Sequence, residues 1–378
     1  MGRLLAGTTG LPAEELTQVV DVAGQVLGAT SVQMLVADYG LTSLQPLGQD
    51  GPTGPRQSIG GTLAGRCFAT GQVVTGDRGA TVWVPLTEGS ERLGVLEVVH
   101  PRWSEVPIGV VEPVIRILVL TLISKRRYTD VILRGRRSEA LSVAAEIQWA
   151  LLPPLTYSTR QVSVSGVLEP AYSIGGDSFD YALNPGKAEF ALIDAVGHGV
   201  AAVTISVLAL NSLRNARREG RDLSTAYLET GALIRREVGR GAFVTGQLGS
   251  LDLDDGRLTW LNAGHPTPLL VRNATFAGQL TCTPSLPMGL GGGVNEVATV
   301  SLQAWDRVLF YTDGVVESRS PTGVQFGTAQ LADLFVRTSA EGTAPAESVR
   351  RLAASVLAYN DGPLRDDATL FMLDYHGA

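Results

Sequence analysis

From residue 175 to residue 369 the chain returns four times to one arrangement, a short apolar run that meets a cluster built around aspartate. The clusters are Gly175-Gly176-Asp177-Ser178-Phe179-Asp180, Asp194-Ala195-Val196-Gly197-His198-Gly199, Tyr311-Thr312-Asp313-Gly314 and Arg365-Asp366-Asp367-Ala368-Thr369. Any one alone reads as a turn, because Asp and Gly are the ordinary residues there. Their joint occurrence constrains the fold. The runs Phe190 to Ile193, Val308 to Tyr311 and Thr369 to Leu373 feed directly into or out of the carboxylates, so strands sharing a sheet would deliver several Asp side chains to one edge. Isolated buried carboxylates are costly, and bound cations remove that cost.

The surrounding pattern predicts many antiparallel strands. Val162, Val164 and Leu168 are spaced as in a strand, and Leu248 to Asp252, the turn Asp254-Asp255-Gly256 and Leu258 to Leu261 form a hairpin. Further strands are expected at Pro268 to Val271, Val297 to Leu302, Val308 to Tyr311 and Thr369 to Asp374. Helices are expected at Gly199 to Leu213, Thr328 to Thr338 and Ala346 to Asn360. Strands with helices segregated from them predict an α+β layered sandwich rather than a doubly wound parallel sheet.

Upstream, the spacing of Leu16, Val19, Val20, Ala23 and Leu27 predicts an amphipathic helix from Glu14 to Ala29, followed by strands at Ser31 to Ala37, Val82 to Pro85 and Leu93 to His100. The apolar stretch Ile108 to Ile123 is broken by Glu112, Pro113 and Arg116, which marks a buried or interface helix rather than a span of about 20 uninterrupted apolar residues. Gly60-Gly61-Thr62-Leu63-Ala64-Gly65-Arg66-Cys67-Phe68-Ala69-Thr70-Gly71, with Val73-Val74 and Val84-Pro85-Leu86, resembles the centre of a GAF domain, a small-molecule or signal-sensing α/β fold. That resemblance implies a sensor over residues 10–124, with an unidentified small ligand or signal. Residues 125–153 are then a linker or switch helix, with Leu141, Ala144, Ile147 and Leu151 on one face and Pro153-Pro154 as its stop. Such a helix either forms a parallel homodimer seam or caps the second domain, residues 154–378.

Composition narrows the function. Net charge is −7, from 30 basic and 37 acidic residues, without a basic block to neutralise a phosphate backbone, so nucleic acid is not an expected partner. Cys67 and Cys282 form no CxxC pair, and the short run Leu4 to Ala6 makes no signal-peptide core; a cytoplasmic protein, off the membrane, is expected. Walker A and HExxH motifs are absent, and Gly289 to Gly293 reads as a tight loop. Carboxylate donors suit Mg²⁺ or Mn²⁺. Two such ions about 3.5 to 4 Å apart acidify a shared water and clamp an in-line displacement at phosphorus, so phosphate-ester hydrolysis is the natural reaction.

In this order the clusters resemble metal-dependent phosphatases of the protein phosphatase 2C superfamily, specifically the bacterial SpoIIE-type branch. Ala145-Glu146-Ile147-Gln148-Trp149-Ala150-Leu151-Leu152-Pro153 is similar to the branch's opening helix, and Leu261-Asn262-Ala263-Gly264-His265-Pro266-Thr267-Pro268-Leu269-Leu270 to its NAGHPPPLL signature. Phe310 to Glu317 matches its YTDG segment. The resemblance covers roughly residues 140–375 and implies an α-β-β-α sandwich, a serine/threonine phosphatase and two Mn²⁺ or Mg²⁺ ions. Asp194 would bridge the ions, with the Ala195 carbonyl beside it; Asp177 would hold one metal, Asp313 and Asp366 the other. Asp180 would orient Asp177 or a water, Asp367 would support the ligands, and Gly197 and Gly199 would permit close backbone approach. His198 either donates a proton to the leaving oxygen or only bonds its loop. Departures from the family wording are Ser178, where tryptophan is common, and Trp305-Asp306 in place of a Gly-Asp turn. The implied substrate is a phosphoserine on a STAS-type anti-sigma-factor antagonist. Two other readings are a catalytically inactive sensor and scaffold that binds a partner protein, and a phosphohydrolase of a small metabolite.

Overall fold

The computed structural model describes residues 16–377 apart from 49, 77–78, 174, 292–295, 361–363 and 365. Leu4 to Ala6, Glu14, Gly292, Gly293 and Arg365 of the sequence reading therefore lie outside the described residues. The chain divides into two compact units, Met1–Ala140 and Leu141–Ala378.

The first unit is an antiparallel sheet flanked by helices. Its strands are β1 (Ser31–Ala37), β2 (Ser43–Gly48), β3 (Gly51–Pro52), β4 (Gln57–Ser58), β5 (Val74–Thr75), β6 (Thr81–Glu88) and β7 (Glu91–Val99). They run in the order β3-β2-β1-β7-β6-β5, with β4 also on β2. Helices α1 (Leu16–Leu27) and α3 (Ile108–Lys125) bury Val19, Ala23, Val114 and Leu118 against Met34, Val84 and Leu96 of the sheet. Between them in the chain, α2 (Leu63–Thr70) begins at Thr62, whose hydroxyl accepts the Gly65 N–H.

The helix expected across residues 125–153 is broken in two. α4 (Asp130–Gly135) belongs to the first unit and α5 (Val143–Leu151) to the second. The physical reason is two start signals inside the segment: Thr129 caps Val131, and Ser142 caps Ala145. The expected seam also divides. Leu141 precedes α5, Ala144 is buried with Ala145 and Gln148, and Ile147 is exposed. α5 packs on its own unit, with the Trp149 indole N–H donating to the Ala171 carbonyl at 2.8 Å.

The second unit stacks two antiparallel sheets between two helix layers. One sheet runs β10 (Asp177–Asn184), β11 (Lys187–Ala195), β12 (Val244–Asp252), β13 (Arg257–Ala263), β16 (Ala298–Ser301). The other runs β15 (Thr275–Gln279), β14 (Leu269–Arg272), β17 (Asp306–Tyr311), β18 (Ala368–Tyr375), β9 (Val162–Glu169), β8 (Thr156–Ser158). Strand alternation divides the core in three. Phe179, Phe190, Phe310 and Phe371 fill the space between the sheets, with the Phe190 and Phe310 ring centroids 4.7 Å apart. Leu309, Leu370 and Met372 point the other way, onto α9 (Gly327–Ala340) and α10 (Pro345–Tyr359). Ile193, Leu248 and Leu261 meet α6 (Gly199–Arg218) and α7 (Leu223–Glu237). A short helix, α8 (Asp313–Glu317), follows β17. Strands covered on both faces read as unbroken apolar runs, which explains Val308 to Tyr311 and Ala368 to Leu373. The expected α+β sandwich is the observed architecture, and α7 and β10 are the main elements the sequence patterns did not announce.

Trp305, where a glycine turn was the family expectation, sits at φ 70°, in the left-handed region that suits glycine. Its ring is exposed and stacks on His376 at 5.1 Å.

Candidate active site

Asp177 opens β10 and is the cross-strand partner of Asp194 near the end of β11. Cross-strand partners share a face. Phe179 and Leu192, each two residues further along its strand, lie in the inter-sheet core, so both carboxylates project between the sheets at one end of the sandwich. The facing sheet brings its own pair of clusters to the same end. β17 and β18 are antiparallel, with Tyr311 opposite Leu370, so Thr312-Asp313 after one strand meets Asp366-Asp367 before the other.

Exposure grades across the group: Asp177 and Asp367 are buried, Asp194 is half-buried, and Asp313 and Asp366 face solvent. Burial, then the charges of Asp194 and Asp367, push the Asp177 carboxyl well above the usual carboxylate range. Burial and the charges of Asp313, Asp366 and Asp367 push Asp194 up to about 7. Asp313 is raised by burial and by Asp366, and Asp367 chiefly by burial. Mutual electrostatic influence of this kind means that these side chains share one site.

Hydrogen bonds hold the arrangement. The hydroxyls of Thr312 and Thr369 both donate to Asp177 Oδ2, at 2.7 and 2.6 Å. Asp367 Oδ2 accepts the backbone N–H of Gly175 at 2.6 Å and of Asp177 at 3.2 Å. Two glycines are required by close approach: a Cβ on Gly314 would lie 1.9 Å from the Asp367 carbonyl oxygen, and one on Gly176 2.2 Å from that of Ala195. The Ala195 carbonyl therefore lies against Gly176, on the strand beside Asp177.

Beside the carboxylates is a cavity of about 330 Å³ lined by Ser142, Ser173, Gly197, His198, Asp366 and Asp367, with Gly199 also on its wall. His198 is exposed and stands at the N-cap of α6 without making a capping bond. His265 lies elsewhere in the hydrogen-bond scheme. Its backbone N–H donates to Asn262 Oδ1 at 2.7 Å, and its Nδ1 is 3.1 Å from the Thr245 hydroxyl. Burial pushes its imidazole down to about 3, so it is neutral at ordinary pH and serves the turn.

Asp180 departs from expectation. Three residues from Asp177 on the same strand, it points to the opposite face and meets α6. There it accepts from Arg214 Nε at 3.0 Å and lies 2.9 Å from Arg217 Nη1, with no bond to Asp177. Sequence reasoning passed over these arginines and the two threonines. Arg214 and Arg217 recur three residues apart on α6, and Thr312 and Thr369 each stand within three residues of a predicted ligand; those spacings are the only trace they leave in the sequence.

The donors are hard oxygens throughout, and their raised proton affinity is the condition a divalent cation relieves, so the chemistry of the set fits Mg²⁺ or Mn²⁺. Among the described residues no group of three or more His, Cys, Asp or Glu side chains is gathered tightly enough to hold an ion as it stands.

Comparison with known proteins bears on the same region. The family model described as Stage II sporulation protein E (SpoIIE) matches residues 184–376, just over half of the chain, and includes Asp194, Asp313 and Asp366. Protein IcfG of Synechocystis sp. is 25% identical over 260 residues, covering 61% of this chain and 40% of its own length. Phosphoserine phosphatase RsbU of Bacillus subtilis is 22% identical over 247 residues, covering 64% of this chain and 72% of RsbU. The chain thus spans well under half of IcfG. Among solved structures, the SiaA-PP2C domain of Pseudomonas aeruginosa superposes with a TM-score of 0.53 at 20% identity, covering 61% of this chain and 94% of that domain, which establishes the shared fold. With the sandwich, the order of the aspartate clusters and the family match in agreement, the chain belongs to the SpoIIE family.

Proposed function

We propose that the chain is a divalent-cation-dependent protein serine/threonine phosphatase whose substrate is a phosphoserine on a STAS-type anti-sigma-factor antagonist. The observation that carries this reading is the convergence of Asp177, Asp194, Asp313, Asp366 and Asp367 from both sheets on one end of the sandwich, beside an open cavity. Family membership and similarity to a protein named phosphoserine phosphatase support it.

In this reading Asp177, Asp194, Asp313 and Asp366 would hold two Mn²⁺ or Mg²⁺ ions, Asp194 contributing to both, Asp177 to one, and Asp313 and Asp366 to the other. Bound cations supply an acidified water and neutralise charge developing on the phosphoryl group. The chain's own residues do the rest. Asp367 ties the Gly175–Asp177 segment to the start of β18, and Gly197 and Gly199 leave room for the phosphoserine backbone at the cavity wall. His198, exposed on that wall, gives a proton to the leaving serine oxygen, the work imidazole is suited to near neutral pH. Water attacks phosphorus directly, so no phosphoenzyme forms. The first unit is a GAF-like sensor that sets this activity through residues 125–153.

The test is phosphate release from a phosphoserine protein by the full chain. Turnover in Mn²⁺, abolished by EDTA and lowered by at least about a thousandfold in Asp194→Asn, is expected. Turnover by Asp194→Asn equal to wild type overturns the assignment. Preference for phosphorylated metabolites points to the small-molecule alternative, and tight binding without turnover to the scaffold.

A further inference from the structure

Asp177 is held more completely than any other carboxylate of the site. It is 1% exposed, and the two hydroxyls that reach it are fully buried. Both come from the opposite sheet, and both go to the same oxygen, Oδ2, while neither goes to Oδ1. The two threonines are also joined to each other: the Thr312 N–H donates to the Thr369 carbonyl at 3.0 Å, and the Thr369 N–H to the Thr312 hydroxyl oxygen at 2.8 Å. That last bond fixes how the Thr312 hydroxyl is turned. With its oxygen accepting from Thr369 N–H, its proton is directed to Asp177.

Each threonine is tied by the chain to a different carboxylate. Thr312 immediately precedes Asp313, and Thr369 follows Asp366 and Asp367 by three and two residues. The position of the Asp177 carboxylate is therefore coupled through two short bonds to the segments that carry the other sheet's carboxylates. A β-branched hydroxyl side chain suits this task because its χ1 is stiff, and a fully buried one has few alternative rotamers.

We infer that Thr312 and Thr369 are positioning residues that clamp Asp177 across the two sheets, engaging Oδ2 so that Oδ1 is presented to the cation. The inference rests on the metal-site reading given above. Were the threonines mere core filler, their methyl groups and volume would matter and their hydroxyls would not. Were they a clamp, the hydroxyls are the functional part, and their removal acts on cation binding through Asp177 alone.

The experiment titrates Mn²⁺ into the full-length protein and reads the apparent dissociation constant by calorimetry, with phosphate release as a second readout. Thr369→Val and Thr312→Val keep the shape and delete the donor. Each is expected to weaken Mn²⁺ binding at least about tenfold, with kcat recovering toward wild type at saturating Mn²⁺. Thr369→Ser, which keeps the hydroxyl, should stay within about threefold of wild type. In an Asp177→Asn background, Thr369→Val should add no further loss of Mn²⁺ affinity. Wild-type affinity in a folded valine variant, a serine variant as weak as the valine one, or additive losses with Asp177→Asn each overturn the clamp. Should Thr369→Val fail to fold, Thr312→Val and the serine variant carry the same comparison. Absence of any Mn²⁺ response in the wild-type chain would instead sink the metal-site reading, and the clamp with it.

Discussion

The strands β17 and β18 carry buried or partly buried aspartates at both ends, and the two ends are treated in opposite ways. At one end Asp306 takes a two-pronged bond from Arg272, with Nε 2.9 Å from Oδ1, and Asp374 lies 3.0 Å from Arg307 Nε. On β10, Asp180 has Arg214 and Arg217. At the other end Asp177, Asp194, Asp313, Asp366 and Asp367 crowd together, and none of the described lysines or arginines pairs with them. A buried carboxylate beside an arginine is a solved electrostatic problem; five gathered with no counter-charge among the described residues are an unsolved one, which the proposed cations would resolve. In the proposed reading the same residue type is structural at one end of a strand and chemical at the other.

The largest effects should separate the two ends by activity. Asp194→Asn is expected to lower phosphate release by at least about a thousandfold while raising the melting temperature in EDTA, because it removes a repelled charge. A melting temperature in EDTA below wild type would break the contrast. Arg307→Ala should do the reverse, costing about 3 kcal/mol in urea unfolding by leaving Asp374 buried and unpaired, with turnover per folded molecule unchanged.

pH should sharpen the contrast further. His265 has its folded value lowered to about 3 from an ordinary 6.5, so the unfolded chain binds the proton first. Stability from this group is present above about pH 6.5 and is lost as pH falls toward 3, by roughly 5 kcal/mol; His265→Gln should flatten that limb of the urea midpoint against pH. Asp194 has the opposite sign. Its folded value, raised to about 7, means the native state holds the proton longer, so the cation-free protein loses stability as pH rises from about 4 to about 7. Mn²⁺ competes with that proton, and the Mn²⁺-induced rise in melting temperature should grow between pH 5.5 and 8. A rise independent of pH would place the ion elsewhere.

The smallest effect serves as the control. Arg337 and Asp333 pair on the exposed face of α9, with side chains 65% and 56% accessible, and Arg337→Ala should change stability by less than about 0.5 kcal/mol. A loss comparable to Arg307→Ala would mean that burial is not what distinguishes these pairs.

Much of this was legible beforehand. The hairpin at Asp254-Asp255-Gly256, the strands around Val308 and Thr369, and the helices near Leu331 and Leu352 follow from local periodicity, and they recur within a few residues of the expected bounds. The linker did not, because two caps and the inward face of Ala144, Ala145 and Gln148 overrode a plausible heptad-like spacing. Helix α7 was passed over although its buried Ala226, Tyr227, Thr230 and Ile234 recur at helical spacing. Asp180 was misjudged because proximity in sequence to Asp177 suggested a shared task, whereas an odd offset on a strand sends the two to different layers.

What the amino-acid order determined by itself was the inventory: which residues could bear the chemistry, in what order, and on what kind of element, since periodicity, turn residues and motif spacing are local properties of the chain. Only the tertiary structure decided which aspartates meet. Register places Asp177 across from Asp194 and Tyr311 across from Leu370, and packing of the two sheets then brings Thr312 and Thr369 onto one carboxylate oxygen while Asp180, three residues away, is handed to two arginines. The two threonine bonds to Asp177 join residues more than a hundred positions apart, and nothing local to either partner encodes the meeting.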